Sequence, residues 1–118
     1  MKYTTVIRHA ISAGHQLGGH PLCDRVHGHE YTIRVHVEGE PEFKWFGHTI
    51  SPEKIESIRD VIGELNFRDL NQMMSGSIPS VHGIANYLMA RLEILGATKV
   101  EVDESGTGLA AATEATSY

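Results

Sequence analysis

The segment CDRVHGHEYTIRVHVEG, residues 23–39, brings together three side chains that can do chemistry. Cys23 is the only cysteine of the chain, and His27 and His29 follow it with one glycine between them. In a β-strand, residues two apart point to the same side and lie roughly 6.5 Å apart, so both imidazoles can reach one metal ion. Catalytic zinc usually has three protein ligands and keeps a fourth position open. A third ligand is therefore expected elsewhere.

His15 is the best candidate for the third ligand. It directly follows the first predicted strand, and consecutive strands are usually neighbours in a sheet. His20 and His36 are weaker candidates, and His36 falls on the opposite face of its strand. The alternative interpretation is that these are ordinary polar histidines with no ion between them.

Cys23 allows three interpretations, since a single cysteine cannot form a disulfide within the chain. As a fourth ligand it would close the zinc site and make the site structural. Beside a metal ion and Arg25 it would be held as a thiolate, the form that acts as base or nucleophile. Otherwise it is a small buried hydrophobic side chain. Its spacing to His27 and His29 favours the thiolate.

The first half of the chain has strand-type sequence. Residues 3–13 are rich in Thr, Val and Ile and contain neither proline nor glycine, which predicts a first strand. Residues 30–38 alternate polar and apolar side chains, which is the clearest strand pattern in the chain. The glycine-rich segment between them is predicted to be a loop, and a third strand is predicted over 43–50. The metal-type ligands therefore lie next to strands.

Two amphipathic helices follow. The first is predicted over 52–65, with Ser51 as its N-cap and Pro52 at its first position. The second begins after Ser80 and ends at Gly96. TKVEVDE and GLAAATEA then predict two closing strands joined by the turn SGTG. This β-β-β-α-α-β-β order predicts an α+β fold in which two helices pack on one face of an antiparallel β-sheet.

Length and charge limit the possible partners. A chain of 118 residues has the length of one domain, 1–118. The net charge of -5 argues against broad capture of nucleic acid or of an anionic membrane. No apolar run approaches the roughly 20 residues of a membrane span, and MKYTTVIRHA lacks the apolar region of a signal peptide. The expectation is a cytoplasmic protein that binds neither nucleic acid nor membrane.

Two segments together resemble the 6-pyruvoyl-tetrahydropterin synthase and 6-carboxy-tetrahydropterin synthase family, namely ISAGHQL (11–17) and CDRVHGHEYTIRV (23–35). Members of that family have an A-A-H-x-L segment and a C-x-x-x-H-G-H-x-Y/F segment. The resemblance implies that His15, His27 and His29 bind Zn²⁺ and that Cys23 is the catalytic thiol. It also implies a tunnelling fold and a homo-oligomer in which trimers pair into hexamers. The implied activity is that of a zinc-dependent carbon-oxygen or carbon-carbon lyase acting on a reduced pterin.

Later segments extend the resemblance over nearly the whole chain. GHTISPEKIE is similar to the family's first helix start, and IPSVHGIANYL is similar to the P-T-x-E-N before its second helix, which puts Ser80 at the substrate pocket. VEVDES is similar to the late-strand V-x-E-T and puts Glu104 where the family anchors the pterin. A carboxylate suits that role, because it can accept two parallel hydrogen bonds from the pterin ring N–H and the exocyclic amine.

The chain departs from the family at its L-D-H-x-x-L-N segment, which here is LNFRDLN. Asn66 replaces the acid and Phe67 replaces the histidine of the pair that completes proton transfer with the cysteine. A phenyl ring cannot take or give a proton. His82, which stands where the family has Glu, and Asp69 are the candidate substitutes for the missing base.

Three functions remain open from the sequence. The first is a lyase that converts dihydroneopterin triphosphate into a carboxy- or pyruvoyl-tetrahydropterin. The second is an enzyme that keeps zinc and pterin but catalyses retro-aldol cleavage or hydrolysis, and the third is a pterin-binding protein without catalysis. Retention of Cys23 favours an enzyme. A triphosphate would also need cations, for which the candidates are Arg8, Arg25 and Arg68.

Overall fold

The structure is a computed structural model that describes residues 1–15 and 27–116, with the backbone alone at His27. Several sequence predictions lie outside the described residues. These are the loop before the second strand, the roles of Cys23, His20 and Arg25, and the side chain of His27.

A four-stranded antiparallel sheet with the order β1-β2-β3-β4 is the frame of the molecule. The strands are β1 Tyr3–His15, β2 His27–Gly39, β3 Ala97–Glu104 and β4 Leu109–Glu114. β1 and β2 pair from Tyr3 opposite Gly39 to His15 opposite His27. The first two predicted strands and the two closing strands are confirmed. The pairing of β1 and β2 extends far enough to include the histidines at their ends.

Three α-helices connect β2 to β3, namely α1 Pro52–Gly63, α2 Leu70–Met73 and α3 Val81–Leu92. The predicted helices correspond to α1 and α3, while α2 is an additional single turn. The Oγ of Ser51 accepts a hydrogen bond from Lys54 N, which confirms the predicted N-cap of α1. No helix of the described residues is long and apolar enough to cross a lipid bilayer.

The core lies between one face of the sheet and the helices. Side chains at alternate positions of β2 and β3 are buried in one cluster with the inward side chains of α1 and α3, and each such aliphatic side chain contributes about 1.5–3 kcal/mol of transfer free energy. The predicted α+β fold with helices on one face of an antiparallel sheet is confirmed. The main members of this core are Ile33, Val35, Val100, Val102, Ile58, Ile62, Ile84, Leu88 and Leu92.

The prediction of a third strand over 43–50 is wrong. Phe43–Trp45 forms a 3₁₀ turn, and Phe46 follows in the left-handed region with φ 54°. Phe43 and Phe46 are 99% and 90% exposed, so their apolar character does not mark a buried sheet face. The backbone hydrogen bonds of this segment close locally, with the carbonyl of Glu42 accepting from the N–H groups of Trp45 and Gly47.

The sheet face opposite the helices carries cross-strand charged pairs. His36 Nε2 lies 2.8 Å from a carboxylate oxygen of Glu101, and this hydrogen bond lowers the pKa of Glu101. Arg34 and Asp103 form a looser pair at 3.9 Å. His36 therefore has a partner on this face. It lies on the opposite face of β2 from His29, as its position in the alternation predicts.

Candidate metal centre and adjoining cavity

Three ligand-type side chains converge at the end of the sheet where β1 ends and β2 begins. The ligand atoms of His15, His29 and Glu104 all lie within 4.8 Å of one another. His15 and Glu104 are 1% and 3% exposed. The imidazole rings are 5.0 Å apart between centroids and nearly perpendicular. Imidazole nitrogens and carboxylate oxygens are donors that zinc takes in proteins, so this buried set fits a zinc ion.

The strand register brings these residues together. His15 is opposite His27 across β1 and β2, and Glu104 is opposite Tyr31 across β2 and β3. His29 lies between positions 27 and 31 on the same face of β2, so it is a diagonal neighbour of both His15 and Glu104. Diagonal neighbours on one face are about 7–8 Å apart between backbones, within reach of long side chains. The cluster is thus a consequence of sheet pairing.

Two buried groups orient the imidazole of His15. Its Nδ1 lies 2.8 Å from the carbonyl oxygen of Pro79 and 3.3 Å from the hydroxyl of Tyr31. A carbonyl can only accept, so Nδ1 carries the proton and the lone pair of the neutral ring is on Nε2. Metal-binding histidines characteristically donate their other ring N–H to a carbonyl or carboxylate in this way. Sequence reasoning missed Pro79, because a backbone carbonyl 64 positions away leaves no residue signal.

The Pro79 carbonyl is fixed by the turn that leads into α3. Ser80 N donates to the carbonyl of Ile78, and Gly83 N donates to the Oγ of Ser80, the N-cap of α3. A Cβ atom at position 83 would lie 1.9 Å from the Ile78 carbonyl oxygen. Only glycine permits this approach. Gly83, which stands where the family has Asn, therefore supports the orientation of His15 through the turn.

We expect Gly83→Ala to lower zinc affinity by about 10- to 100-fold, the usual result of disturbing an outer-shell partner of a ligand. The added methyl group must displace the Ile78 carbonyl and with it the neighbouring Pro79. Overpacking of this kind should also lower the free energy of unfolding by about 1–3 kcal/mol. Zinc affinity is measured by competition with a chromophoric chelator, and stability by urea unfolding.

Gly63→Ala is the matched control, because a Cβ there meets nothing within 4 Å and the residue ends α1 without a positive φ. It should leave zinc affinity unchanged. A folded Gly83→Ala protein that binds zinc as tightly as Gly63→Ala would show that the turn does not position His15.

A cavity of about 440 Å³ opens beside His29. Its volume falls within the roughly 300–1,000 Å³ that is typical of small-molecule sites. In the part of the chain that the structure describes, residues at the end of β1, at the start of β2 and after α1 line this cavity. They are Ser12, Ala13, Gly14, Gly28, His29, Glu30, Phe67 and Arg68.

The segment that departs from the family is bonded to the outer edge of β1. Ser12 N donates to Asn66 Oδ1 at 2.9 Å, and Phe67 N donates to the carbonyl of Ser12 at 2.6 Å. Gly14 N donates to the carbonyl of Arg68 at 3.0 Å. Asn66 thus satisfies a backbone N–H of the edge strand. The hydrogen bonds hold residues 66–68 against the rim of the cavity.

Phe67 adopts a backbone conformation that is unfavourable for a bulky residue. Its φ is 59° and its side chain is 84% exposed, although Leu65 and Leu70 on either side of it are fully buried. The left-handed region costs about 1–2 kcal/mol for an L-residue. Exposure also forgoes the burial energy that a phenyl ring gains in a core. Local stability therefore does not explain why position 67 carries a phenylalanine.

The two candidate substitutes for the missing base, Asp69 and His82, are both exposed. Among the described residues the group within 4.8 Å comprises His15, His29 and Glu104, and neither Asp69 nor His82 belongs to it. Asp69 is exposed and caps α2 through Asn71 N, while its backbone pairs with Gly14 at the cavity. His82 is exposed in the first turn of α3, directly after Val81.

The candidate cations differ in their distance from the cavity. Arg68 lines it. Arg8 is in the middle of β1, opposite Arg34, and is roughly 23 Å from His15 along the strand. Of these two arginines, only Arg68 is placed to meet an anionic group of a ligand in this cavity.

Comparisons with known proteins were made for both sequence and structure. The family model described as 6-pyruvoyl tetrahydropterin synthase matches residues 4–115. The Caenorhabditis elegans 6-pyruvoyl tetrahydropterin synthase structure is 17% identical with a TM-score of 0.83, covering 98% of this chain and 97% of that one. An uncharacterized protein from Wolinella succinogenes is 16% identical with a TM-score of 0.73 and coverages of 97% and 98%.

The Plasmodium falciparum 6-pyruvoyl tetrahydropterin synthase structure is 14% identical, with a TM-score of 0.63 and coverages of 95% and 96%. At these identities the structural likeness shows the fold. No curated protein sequence matches the chain.

Proposed function

The chain belongs to the 6-pyruvoyl tetrahydropterin synthase family, whose model covers nearly all of it, and from this premise we propose a zinc-dependent lyase-type enzyme acting on a reduced pterin. The substrate is dihydroneopterin triphosphate or a close analogue, and the product is of the carboxy- or pyruvoyl-tetrahydropterin type. The observation that carries the proposal is the convergence of His15, His29 and Glu104 beside a cavity of ligand size.

His15, His27 and His29 would hold the zinc ion. When bound, zinc supplies Lewis-acid polarisation of the oxygens on the substrate side chain. The carbonyl of Pro79 fixes the tautomer and orientation of His15, so that the lone pair of the neutral ring is on Nε2. The pairing of His15 with His27 in the β1–β2 ladder supports the inclusion of His27.

Glu104 would anchor the pterin ring. Its carboxylate is 3% exposed, and one oxygen lies 3.7 Å from His29 Nε2. A buried carboxylate that accepts two parallel hydrogen bonds fixes both the position and the rotation of a pterin. The end of β3 is itself held, because Ser105 N donates to the carbonyl of Glu30. Since Glu104 is also part of the ligand cluster, the pterin and metal sites would adjoin at this residue.

Proton transfer would fall to the Cys23 thiolate with a substitute partner. Asn66 and Phe67 cannot complete the proton relay, in which an acid and a histidine of the family transfer the proton together with the cysteine. Asp69 has more support as the substitute than His82, because its backbone pairs with Gly14 on the cavity wall. Ser80, proposed as a pterin contact, uses its Oγ to accept from Gly83 N, and its hydroxyl hydrogen can still be donated to a ligand.

A second candidate is a zinc- and pterin-binding homologue that is non-catalytic or catalyses a different reaction. The observation in its favour is that Asn66 Oδ1 accepts from a backbone N–H of β1, while the exposed Phe67 side chain has no group that can transfer a proton. Loss of a general acid or base typically costs about 10²–10⁴ in rate. Such a loss would favour a reaction that does not depend on the relay.

The decisive experiment is product analysis by mass spectrometry after incubating zinc-loaded protein with 7,8-dihydroneopterin triphosphate. A carboxy- or pyruvoyl-tetrahydropterin that is formed by the wild type and is absent with Cys23→Ala supports the lyase. Unchanged substrate together with measurable pterin binding supports the second candidate. A wild-type protein that binds neither zinc nor pterin would contradict both candidate functions.

We also propose that the protein is a homo-oligomer built from trimers that pair into hexamers. β4 is an edge strand of the described sheet, so its outward N–H and C=O groups can pair with a strand of another copy. Val6 on β1 and Leu109 on β4 are about half exposed, which supports contact of both edge strands with other copies of the chain. Native mass spectrometry reports the number of subunits directly.

A further inference from the structure

We infer that Phe67 is a substrate-binding residue whose phenyl ring stacks on the face of the pterin. The inference rests on the proposed function and adds to it a binding residue specific to this chain. It begins from the position of Phe67 on the wall of the cavity that also contains His29.

The backbone around Phe67 holds the ring at the cavity. Its N–H donates to the carbonyl of Ser12, and the preceding Asn66 accepts from the N–H of the same serine. Leu65 and Leu70 anchor the two ends of the segment in the core. These anchors require no aromatic side chain at position 67, and the left-handed backbone there suits a phenyl ring poorly.

Phe46 shows that exposure and a positive φ do not by themselves assign a role. It is 90% exposed with φ 54°, and these values resemble those of Phe67. Phe46, however, ends a 3₁₀ turn and is followed by Gly47, whereas Phe67 shares a cavity with a proposed metal ligand. The difference between the two residues is therefore their surroundings, which makes Phe46 a matched control.

A planar heterocycle offers two recognition features, its polar edge and its flat face. In the proposed site Glu104 receives the edge through paired hydrogen bonds. The face can be covered by an aromatic side chain, and such stacking does not depend on which base is bound because every base has a π-face. Phe67 provides an exposed aromatic surface on the wall of the cavity. Its role would be binding, in place of the proton transfer of the family's histidine.

The test measures the affinity of the zinc-loaded chain, residues 1–118, for neopterin by isothermal titration calorimetry. Neopterin lacks phosphates, so its binding reports the ring and not the anionic tail. We expect Phe67→Leu to weaken binding by about 10- to 100-fold, the range found for removing an aromatic side chain that stacks on a base. Phe67→Tyr should retain most of the affinity, and Phe46→Leu should equal the wild type.

The absorbance of neopterin provides a second readout, since stacking shifts and weakens its long-wavelength band. The change should occur with wild type, Phe67→Tyr and Phe46→Leu and be lost with Phe67→Leu. Equal affinity and equal spectra for Phe67→Leu and Phe46→Leu would overturn the inference while leaving the proposed function intact. A change of subunit number in Phe67→Leu, without a change in affinity, would instead assign the ring to a contact between copies. Absence of neopterin binding by the wild type would overturn the inference, while the product analysis with dihydroneopterin triphosphate decides the proposed function separately.

Discussion

His15→Ala should lose tight zinc binding, with affinity reduced by more than the roughly 10- to 100-fold that follows the loss of an outer-shell partner alone. His15 is 1% exposed and stands in the cluster with His29 and Glu104. Its ring nitrogen Nδ1 is engaged by the carbonyl of Pro79, so the substitution removes a pre-oriented imidazole. The measurement is zinc content by mass spectrometry, together with chelator competition for the dissociation constant.

Two variants define what this result means. His36→Ala removes a histidine from the opposite face of the sheet, where it pairs with Glu101, and should leave zinc binding unchanged. Glu104→Gln tests the division of roles within the cluster: as a pterin anchor it should lose neopterin affinity and keep zinc affinity. A His15→Ala protein that retains the wild-type zinc affinity would refute the metal centre. A Glu104→Gln protein that loses zinc would make Glu104 a ligand.

The convergence of His15 and His29 could be predicted because sheet register follows from side-chain alternation. Burial of Tyr31, Ile33 and Val35 on one face of β2 determines which residues of the neighbouring strands share that face. A shift of one residue would expose all of them, so the apolar pattern fixes the pairing. The positions of two polar histidines thus follow from apolar residues several places away. Helices α1 and α3 were predictable for a related reason, since both have local caps and a helical apolar period.

The groups that orient the site were not predictable from residue types. The carbonyl of Pro79 reaches His15 across the fold, and any residue at position 79 would carry a carbonyl. The need for glycine at position 83 arises from the approach of Ile78, which only the folded chain creates. The strand predicted over 43–50 does not form, because Phe43 and Phe46 are exposed in a turn that satisfies its own backbone hydrogen bonds.

The double substitution Asn66→Asp with Phe67→His should raise the rate of carboxy- or pyruvoyl-tetrahydropterin formation by about 10²–10⁴, the contribution typical of a positioned general acid or base. It restores the acid and histidine of the family at the rim of the cavity. The measurement is the initial rate of product formation from dihydroneopterin triphosphate by zinc-loaded protein. The same double variant carrying Cys23→Ala should return to the background rate.

The structure indicates that the segment can accept this change. Asn66 uses Oδ1 to accept from Ser12 N, and a carboxylate offers a second oxygen that can accept from the new imidazole. Histidine tolerates the left-handed region better than phenylalanine does, so the backbone at φ 59° should be less strained. We therefore expect the free energy of unfolding of the double variant to be unchanged or increased, which urea unfolding checks.

The kinetic constants separate the relay from the binding role of Phe67. If Phe67 stacks on the pterin, its replacement by histidine should raise KM while the restored relay raises kcat, because the lost contact acts on substrate binding and the relay on the chemical step. Asn66→Asp alone supplies a carboxylate without an imidazole and should give no gain in kcat. An equal kcat for wild type and double variant would mean that the native enzyme already has a working proton-transfer group. Asp69→Asn and His82→Gln would then identify it, since only the variant that removes this group should lose product formation.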